Sequence, residues 1–199
     1  MYRGDVGSFW LQAEVHHGGK RKRSAGLQEN DSRNLTARVF RLTIRLDESY
    51  LGNLTGFFNV PGLFGSIPYQ SNGYIGVDCA DVLVAARRKW VGKEDSKDFN
   101  VSMLVNAWPK VARFEMRGGN PSEEIAWGEK VKPGDLIAVR YRPTGSFAHI
   151  GALYADSNEN GKLDGGDQMI HAGPEALQIN FLRQGSFDGD VVILRPPRG

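Results

Sequence analysis

Short segments with strand-like hydrophobic patterning fill the C-terminal half of the chain. They are DLIAVRY (135–141), FAHIGALYA (147–155), QMIHA (168–172) and DVVILR (190–195). Each is an apolar or alternating run of strand length. Glycine, with 25 residues, punctuates the chain often enough to favour strands and turns over a helical bundle. We therefore expect an antiparallel sheet in this half.

Helical spacing precedes this sheet. In residues 78–92 the apolar positions that recur at this spacing are Val82, Leu83, Ala86 and Trp90. Asp78 is suited to cap the helix, and Asp81 stands three residues later, where a capping box places an acid. A second helix is expected over residues 99–108, because Pro109 ends it. Helices followed by strands predict an α+β fold, with a helix packed on an antiparallel sheet.

The first fifty residues have a different pattern. Residues 8–15 alternate weakly and residues 35–46 alternate well, with a polar loop between them. We interpret residues 1–50 as a β-hairpin appendage, or as the last strands of a truncated β domain, and residues 51–199 as the main domain. The loop contains the run Lys20-Arg21-Lys22-Arg23. A solvated hairpin loop explains this run, and the alternatives are contacts with nucleic acid, an anionic polymer or a localisation receptor.

Composition limits the classes of function. The chain has 199 residues, a net charge of +2 and one cysteine, Cys79. The small net charge gives no electrostatic case for nucleic acid as a partner. No apolar run approaches the ~20 residues of a membrane helix, and the N-terminus begins polar, without the apolar core of a signal peptide. A single cysteine excludes a disulfide framework within the chain and sites built from several cysteines.

Cys79 occupies the first position of the expected helix. Backbone N–H groups and the helix dipole lower the pKa of a thiol there, whereas the neighbouring Asp78 and Asp81 raise it. A nucleophilic thiol needs a general base, and the histidines on predicted strands are His149 and His171. On paired strands, one imidazole can orient the other through a ring N–H. The alternatives are a buried structural cysteine beside hydrogen-bonded histidines, and a zinc site formed by these three residues.

Several short motifs resemble, in their order and spacing, those of the NlpC-type cell-wall cysteine peptidases, a papain-like superfamily. The segment GSIPYQSNGYIGVDCADVLVAA is similar to the family's active-site segment, in which a Pro-Tyr and a glycine-rich turn precede an Asp-Cys pair that opens a helix. Downstream, KPGDLIAVRY, AHIGALYA and QMIHAG are similar to the strands that carry the family's Gly-Asp-Leu lead-in and its histidines. The resemblance covers residues 60–172.

This resemblance implies a papain-like core and a cysteine hydrolase that cleaves amide bonds through a thioester. Cys79 would be the nucleophile, His149 the general base and His171 the residue that orients the base, with Tyr69 at the active site. A peptide or other amide would be the substrate, with peptidoglycan stem peptides as the family's example. The resemblance also implies a location outside the bacterial cytoplasm.

The chain departs from the family pattern beside the nucleophile. The family has Asp-Cys-Ser-Gly, whereas Ala80 and Asp81 follow Cys79, and residues 71–74 (Ser-Asn-Gly-Tyr) replace an aromatic-Gly-Gly turn. These changes indicate a divergent branch with a reshaped cleft. The main rival is therefore a non-catalytic binding or structural module on the same scaffold. Alkylation of Cys79 at neutral pH, faster than that of free cysteine, is expected of the nucleophile and not of a buried structural thiol.

A calcium-binding pattern lies between the two histidine strands. Residues 156–167 match the twelve-residue loop of an EF-hand, except that Asp replaces Glu at the last position. The ligands would be Asp156, Asn158, Asn160, the carbonyl of Lys162, Asp164 and Asp167, with Gly161 at the position that requires glycine. A hydrophilic Asn-Gly turn is the alternative. We expect a structural Ca²⁺ ion that clamps the hairpin bearing the histidines.

Overall fold

An antiparallel sheet is the largest element of the chain. The computed structural model describes residues 5–26, 38–93, 96–173 and 175–198. The strands in these ranges are β1 (Gly7–Leu11), β2 (Glu14–His17), β3 (Lys20–Arg23), β4 (Phe40–Ile44), β5 (Lys110–Arg117), β6 (Asn120–Pro121), β7 (Leu136–Arg140), β8 (His149–Ala155), β9 (Gln168–His171), β10 (Gln178–Phe181) and β11 (Gly189–Leu194). The α-helices are α1 (Tyr50–Thr55), α2 (Pro68–Asn72), α3 (Cys79–Val91) and α4 (Val101–Ala107).

Seven strands form the main sheet, in the order β10-β9-β8-β7-β11-β5-β6. Every neighbouring pair in it is antiparallel. The four predicted strands correspond to β7, β8, β9 and β11, so the prediction of an α+β fold with an antiparallel sheet is confirmed. Strands β5, β6 and β10 extend the sheet beyond that prediction.

The sheet separates two hydrophobic cores, because successive residues of a strand point to opposite faces. One face carries the buried side chains Leu136, Ala138, Ile150, Ala152 and Ile170, which share a core with the helices. The other face carries Ile137, Val139, Leu153, Met169 and Ile193, which pack with Phe187. Helix α3 lies against β8, so the residue at its N-terminus is brought to the sheet.

Helix α3 begins and ends where the sequence predicts. The Asp78 carboxylate accepts the backbone N–H groups of Ala80 and Asp81, each at 2.9 Å. Gly92 ends the helix with a φ of 65°, a left-handed conformation that glycine adopts readily. Ser66 completes the helix start, since its hydroxyl accepts the backbone N–H of Asp78 at 3.0 Å and donates to Asp81 at 2.5 Å. The second predicted helix is present as α4, capped by the side chain of Asn100.

The N-terminal region forms two small antiparallel pairs, β1 with β4 and β2 with β3. The predicted strand over residues 8–15 is interrupted at residues 12–13, and the part of the second predicted strand at residues 35–37 lies outside the described residues. The basic run expected in the loop is itself strand β3. The backbone N–H and hydroxyl of Ser8 donate to the carbonyls of Phe58 and Gly56, both at 2.9 Å, which ties β1 to the main domain.

No helix in the described ranges is both long enough and apolar enough to cross a membrane.

Candidate active site

Cys79 is the first residue of α3, and its side chain is half-buried. The backbone N–H of Ile150 on β8 faces the thiol, together with those of Ala80 and of Cys79 itself. Burial raises the pKa of the thiol to about 11, with a further contribution from Asp78, and the three N–H groups only partly offset this rise. The net shift is opposite to the one that a helix start alone produces. A thiol with this pKa is mostly protonated at neutral pH, which favours slow alkylation over the fast alkylation expected of a nucleophile.

His149 and His171 lie together on neighbouring strands. His149 Nε2 is 2.9 Å from His171 Nδ1, and His171 Nε2 is 3.2 Å from Asn180 Oδ1. Gly151, which faces His171 across the β8–β9 pair, leaves the room that this contact needs. A Cβ atom at Gly151 would lie 2.9 Å from the Cβ of His171 and 3.0 Å from the carbonyl oxygen of Ile170.

The hydrogen-bond chain specifies the tautomer of each imidazole. Since Asn180 Oδ1 can only accept, His171 Nε2 carries the proton and donates it. A neutral His171 then has a lone pair on Nδ1, which accepts the Nε2–H of His149. In a neutral His149 this arrangement leaves Nδ1 unprotonated. Nδ1 of His149 is therefore the nitrogen that can accept a proton.

Both imidazoles favour the neutral form. Burial, together with the nearby His171, lowers the pKa of His149 to about 4. Burial also lowers the pKa of His171, although the hydrogen bond to Asn180 and the charge of Glu175 oppose this. The ring of Phe187, whose centroid is 5.0 Å from that of His149, forms an apolar wall of the site. At neutral pH the site therefore combines a protonated thiol with an unprotonated base.

An open cavity of about 320 Å³ lies beside the histidine pair. Its lining is polar and includes Tyr141, Glu175, Gln178 and Gln184 besides the two histidines and Asn180. The pKa of Tyr141 is raised by burial and by the charge of the Cys79 thiolate, which places the cysteine near the same opening. Among the residues that the structure describes, no hydrogen bond joins Cys79 to His149. By alternation along β8, His149 shares a face with Leu153, opposite to α3, and the Cys79 thiol faces the backbone N–H of the next residue, Ile150.

Tyr69 lies elsewhere. It is 50% exposed on α2 and does not line the cavity. Its charge acts on Arg41 of β4, whose pKa is lowered by burial and raised by Tyr69. The structure thus brings His149 and His171 into contact and sets Cys79 beside the next residue of β8, whereas Tyr69 lies apart from them on α2.

Asp81, which stands where the NlpC-type pattern has glycine, is buried at the start of α3. Asp81 is 2% exposed, and burial raises its pKa to about 7, with the Ser66 hydroxyl lowering it. The Asp81 carboxylate accepts the Ser66 hydroxyl, and the Asp78 carboxylate accepts the N–H groups of Ala80 and Asp81, so both acids that flank the nucleophile have hydrogen-bond partners. A buried acid without partners would be costly. The Asp-Cys-Ala-Asp sequence therefore builds a well-formed helix start.

The loop at residues 156–167 folds around its own carboxylates. Asp156 Oδ2 accepts the N–H of Gly161 at 2.9 Å, and Asp167 Oδ2 accepts that of Asp164 at 2.8 Å. Gly161 has a φ of 72°, as a glycine at this position of a calcium loop requires. Asp156 Oδ1 is buried without a hydrogen-bond partner. Burial, together with the charges of Asp164 and Asp156, raises the pKa of Asp167 to about 6, so these acids influence one another.

No group of three His, Cys, Asp or Glu side chains in the described part of the chain is arranged to hold a metal ion. The zinc set of Cys79, His149 and His171 is therefore not assembled there, and the lone pair of His171 Nδ1 is used in the contact with His149. The calcium pattern also depends on the Asn158, Asn160 and Lys162 oxygens. In the described residues, the carboxylates of Asp156, Asp164 and Asp167 by themselves do not form such a group either.

Sequence reasoning missed two residues of the site. Asn180 is on β10, where Gln178 and Asn180 alternate with Ile179 and Phe181, so a polar face of a strand was the available signal. Tyr141 directly follows β7 and offered no signal of its own.

A comparison with protein-family models and with curated proteins gives no match for this chain.

Proposed function

We propose that this protein is a cysteine hydrolase that cleaves amide bonds through a thioester on Cys79, on a papain-like core of the NlpC type. The observation that carries the proposal is the chain from His149 to His171 to Asn180, with 2.9 and 3.2 Å between the partners. This hydrogen-bond chain favours the tautomer of His149 in which Nε2 is protonated, so Nδ1 is free to act as a base. This base lies at the start of the strand against which the helix of Cys79 packs.

The proposed reaction is acyl transfer by general-base catalysis. His149 Nδ1 takes the thiol proton as Cys79 Sγ attacks the carbonyl carbon of the amide, and the carbonyl oxygen becomes an oxyanion. The backbone N–H of Cys79 contributes to its stabilisation. The protonated His149 then gives its proton to the leaving amine as the C–N bond breaks. Water, deprotonated by His149, attacks the thioester and releases the acid and the thiol.

His171 and Asn180 act through His149. They hold the ring in one tautomer and orientation, and they stabilise the imidazolium that forms during the reaction. Because the thiol and the imidazole are both neutral before the reaction, the proton passes from Cys79 to His149 during the attack. No thiolate–imidazolium pair forms before the substrate binds. This distinguishes the proposed mechanism from one with a preformed ion pair.

The resemblance at residues 60–172 suggests cell-wall stem peptides as the amide substrate. The cavity beside the histidines suits a polar substituent, because it is lined by amides, a phenol and the carboxylate of Glu175. The described residues that line it include no lysine or arginine. A substituent that is neutral or positively charged therefore fits better than an anionic one.

The test is hydrolysis of a panel of muropeptides and simple peptide amides, followed by mass spectrometry. Cys79→Ala and His149→Ala should lose about 10²-fold or more of the cleavage rate. His16→Ala, on the exposed strand β2, is the matched control and should keep the wild-type rate. Cleavage that persists in Cys79→Ala would contradict the proposal.

The rival proposal is a non-catalytic module on the same scaffold. The high pKa of Cys79 and the lack of a direct Cys79–His149 hydrogen bond in the described residues favour it. The panel separates the two proposals. A protein that binds the peptides by calorimetry, cleaves none of them and binds equally well as Cys79→Ala is a binding module.

We also propose that the loop at residues 156–167 binds Ca²⁺. The supporting observation is Asp156 Oδ1, a buried carboxylate oxygen without a hydrogen-bond partner. Calcium prefers six to eight oxygen ligands, and the carboxylates, amides and carbonyl of this loop supply that chemistry. A bound cation would satisfy Asp156 and offset the repulsion among the three acids. Since the loop connects β8 to β9, it would also stiffen the hairpin that carries the histidines.

Calorimetric titration of Ca²⁺ into wild type and Asp156→Ala tests this second proposal. We expect heat of binding in the wild type that is lost in the variant. Glu159→Gln, an exposed residue of the same loop that is not among the ligands, should bind as the wild type does. No heat in the wild type, or equal binding by Asp156→Ala, would refute the calcium site.

A further inference from the structure

The two-stranded ribbon of β1 and β4 turns apolar side chains toward solvent. Strand β4 alternates between exposed and half-buried residues, and the exposed ones are the large apolar ones. Together with the cross-strand neighbour of Phe40, these residues form the apolar ribbon face: Leu11, Phe40, Leu42 and Ile44. Phe40 is 65% exposed, and the other three are 42–48% exposed.

The opposite face of the ribbon points inward and is mixed, since it carries Ser8, Thr43 and Arg41 as well as Trp10, which packs against the core of the main domain. Ser8 and Thr43 pair across the strands, and their hydroxyl oxygens are 2.8 Å apart. Ser8 is fully buried against the main domain. A sheet with one solvent-exposed face normally buries its apolar side chains and exposes its polar ones. In this ribbon large apolar groups also stay in water on the outer face, and such a set marks a contact surface.

A strongly basic hairpin follows β1 directly along the chain. Strands β2 and β3 form the basic hairpin, and all of their residues are exposed. It contains four cations, in Lys20–Arg23, and one carboxylate, Glu14, which accepts a hydrogen bond from Arg21 at 2.5 Å. Val15 is four residues from Leu11, so their Cα atoms are at most about 14 Å apart along the chain.

We propose that the apolar ribbon face and the basic hairpin together dock this protein on an anionic lipid surface. Peripheral proteins bind in this way by placing apolar side chains at the boundary between headgroups and acyl chains while cations contact anionic headgroups. The pairing of the two features on adjacent strands matches both parts of such a surface. The docking is peripheral and independent of the cysteine chemistry.

Charge favours lipid over a second copy of the chain. A second copy would cover the apolar ribbon face, but it carries the same basic hairpin and offers these cations no anionic surface. An anionic surface attracts the hairpin and covers the apolar side chains at the same time. Nucleic acid would use the cations, but it would leave the aliphatic side chains of β4 without a role.

The test is co-sedimentation of the protein with vesicles of phosphatidylglycerol and phosphatidylcholine, and with vesicles of phosphatidylcholine alone. We expect binding to the anionic vesicles that weakens with salt, and little binding to the neutral ones. Lys20→Gln/Lys22→Gln should lower the partition coefficient about 25-fold, because each cation strengthens binding about fivefold. Phe40→Ser/Leu42→Ser should lower it about tenfold or more.

Two matched variants serve as controls. Lys110→Gln/Lys130→Gln removes two exposed lysines outside the hairpin, and Phe64→Ser removes an aromatic ring from a residue that is 96% exposed and lies outside the ribbon. Both should bind vesicles as the wild type does. All variants should keep the wild-type near-ultraviolet circular dichroism.

Three results would overturn the proposal. The first is equal binding to neutral and anionic vesicles, or vesicle binding that neither double variant weakens. The second is a dimer that dissociates in Phe40→Ser/Leu42→Ser while vesicles stay unbound, which would assign the face to a second copy. The third is absence of vesicle binding together with duplex DNA binding that only the lysine variant abolishes, which would assign the hairpin to nucleic acid.

Discussion

Replacing Asp78 with asparagine isolates the charge that helps to keep the Cys79 thiol protonated. Asn caps helices about as well as Asp, and its Oδ1 can accept the same N–H groups of Ala80 and Asp81. The substitution therefore removes a negative charge beside the thiol and keeps the helix start. Since Asp78 raises the pKa of Cys79, the pKa should fall in Asp78→Asn.

The structure gives the size of the effect in the wild type. With a pKa of about 11, roughly one Cys79 thiol in a thousand is ionised at about pH 8. About a quarter of free cysteine, with a pKa near ~8.5, is ionised there. A more basic thiolate is also more nucleophilic, so each ionised Cys79 should react about tenfold faster than an ionised free cysteine. Alkylation of Cys79 should thus be about 20-fold slower than that of free cysteine, and each pKa unit lost in Asp78→Asn should speed it about threefold.

The assay is iodoacetamide labelling followed by intact mass, from about pH 7 to about pH 10. The wild-type rate should rise about tenfold per pH unit across this range, without a plateau, because the thiol stays mostly protonated. Glu129→Gln removes an exposed carboxylate remote from the site and should label as the wild type does. Labelling faster than free cysteine, or a rate that is flat with pH, would show a preformed thiolate and refute the reasoning.

Three further predictions concern the histidine pair. The second-order rate constant of hydrolysis should fall as the pH drops through about 4, because protonated His149 cannot accept a proton, and should stay level toward alkaline pH until Cys79 ionises near 11. A fall in this rate constant around the ordinary pKa of histidine, near ~6.5, would contradict the burial of His149. Asn180→Ala should lower kcat about tenfold with KM unchanged in steady-state kinetics, since only the orientation of the base is lost. Gly151→Ala should lower the free energy of unfolding by about 1–3 kcal/mol in urea titrations, because the added Cβ would meet His171 and Ile170. Unchanged stability would contradict the close approach of β8 and β9 at this position.

Local signals predicted most of the secondary structure around the site. Helix α3 could be located because Asp78 caps its start, Gly92 ends it, and both act within a few residues of the chain. Strands β7, β8, β9 and β11 could be predicted because their apolar runs are short and bounded by turn residues. The identity of the two strand histidines followed from the same runs.

The pairing of strands could not be predicted. The register that sets His171 opposite Gln178, and brings Asn180 to its ring, depends on tertiary packing of β9 against β10. The direction of the thiol pKa shift also depends on packing, because burial against β8 outweighs the local effect of the helix start. On β4, alternation revealed two faces, but it could not show that the apolar one is turned to solvent.

Acetyl transfer from p-nitrophenyl acetate tests the central claim most directly, because it needs no knowledge of the natural substrate. We predict that the wild type forms one acetyl adduct on Cys79, detected by intact mass and peptide mapping, and then releases it. In His149→Ala the adduct should form about 10²-fold more slowly or worse, while His17→Ala keeps the wild-type rate. An adduct that forms equally fast without His149, or no adduct on Cys79 at all, would contradict a cysteine nucleophile served by a histidine base.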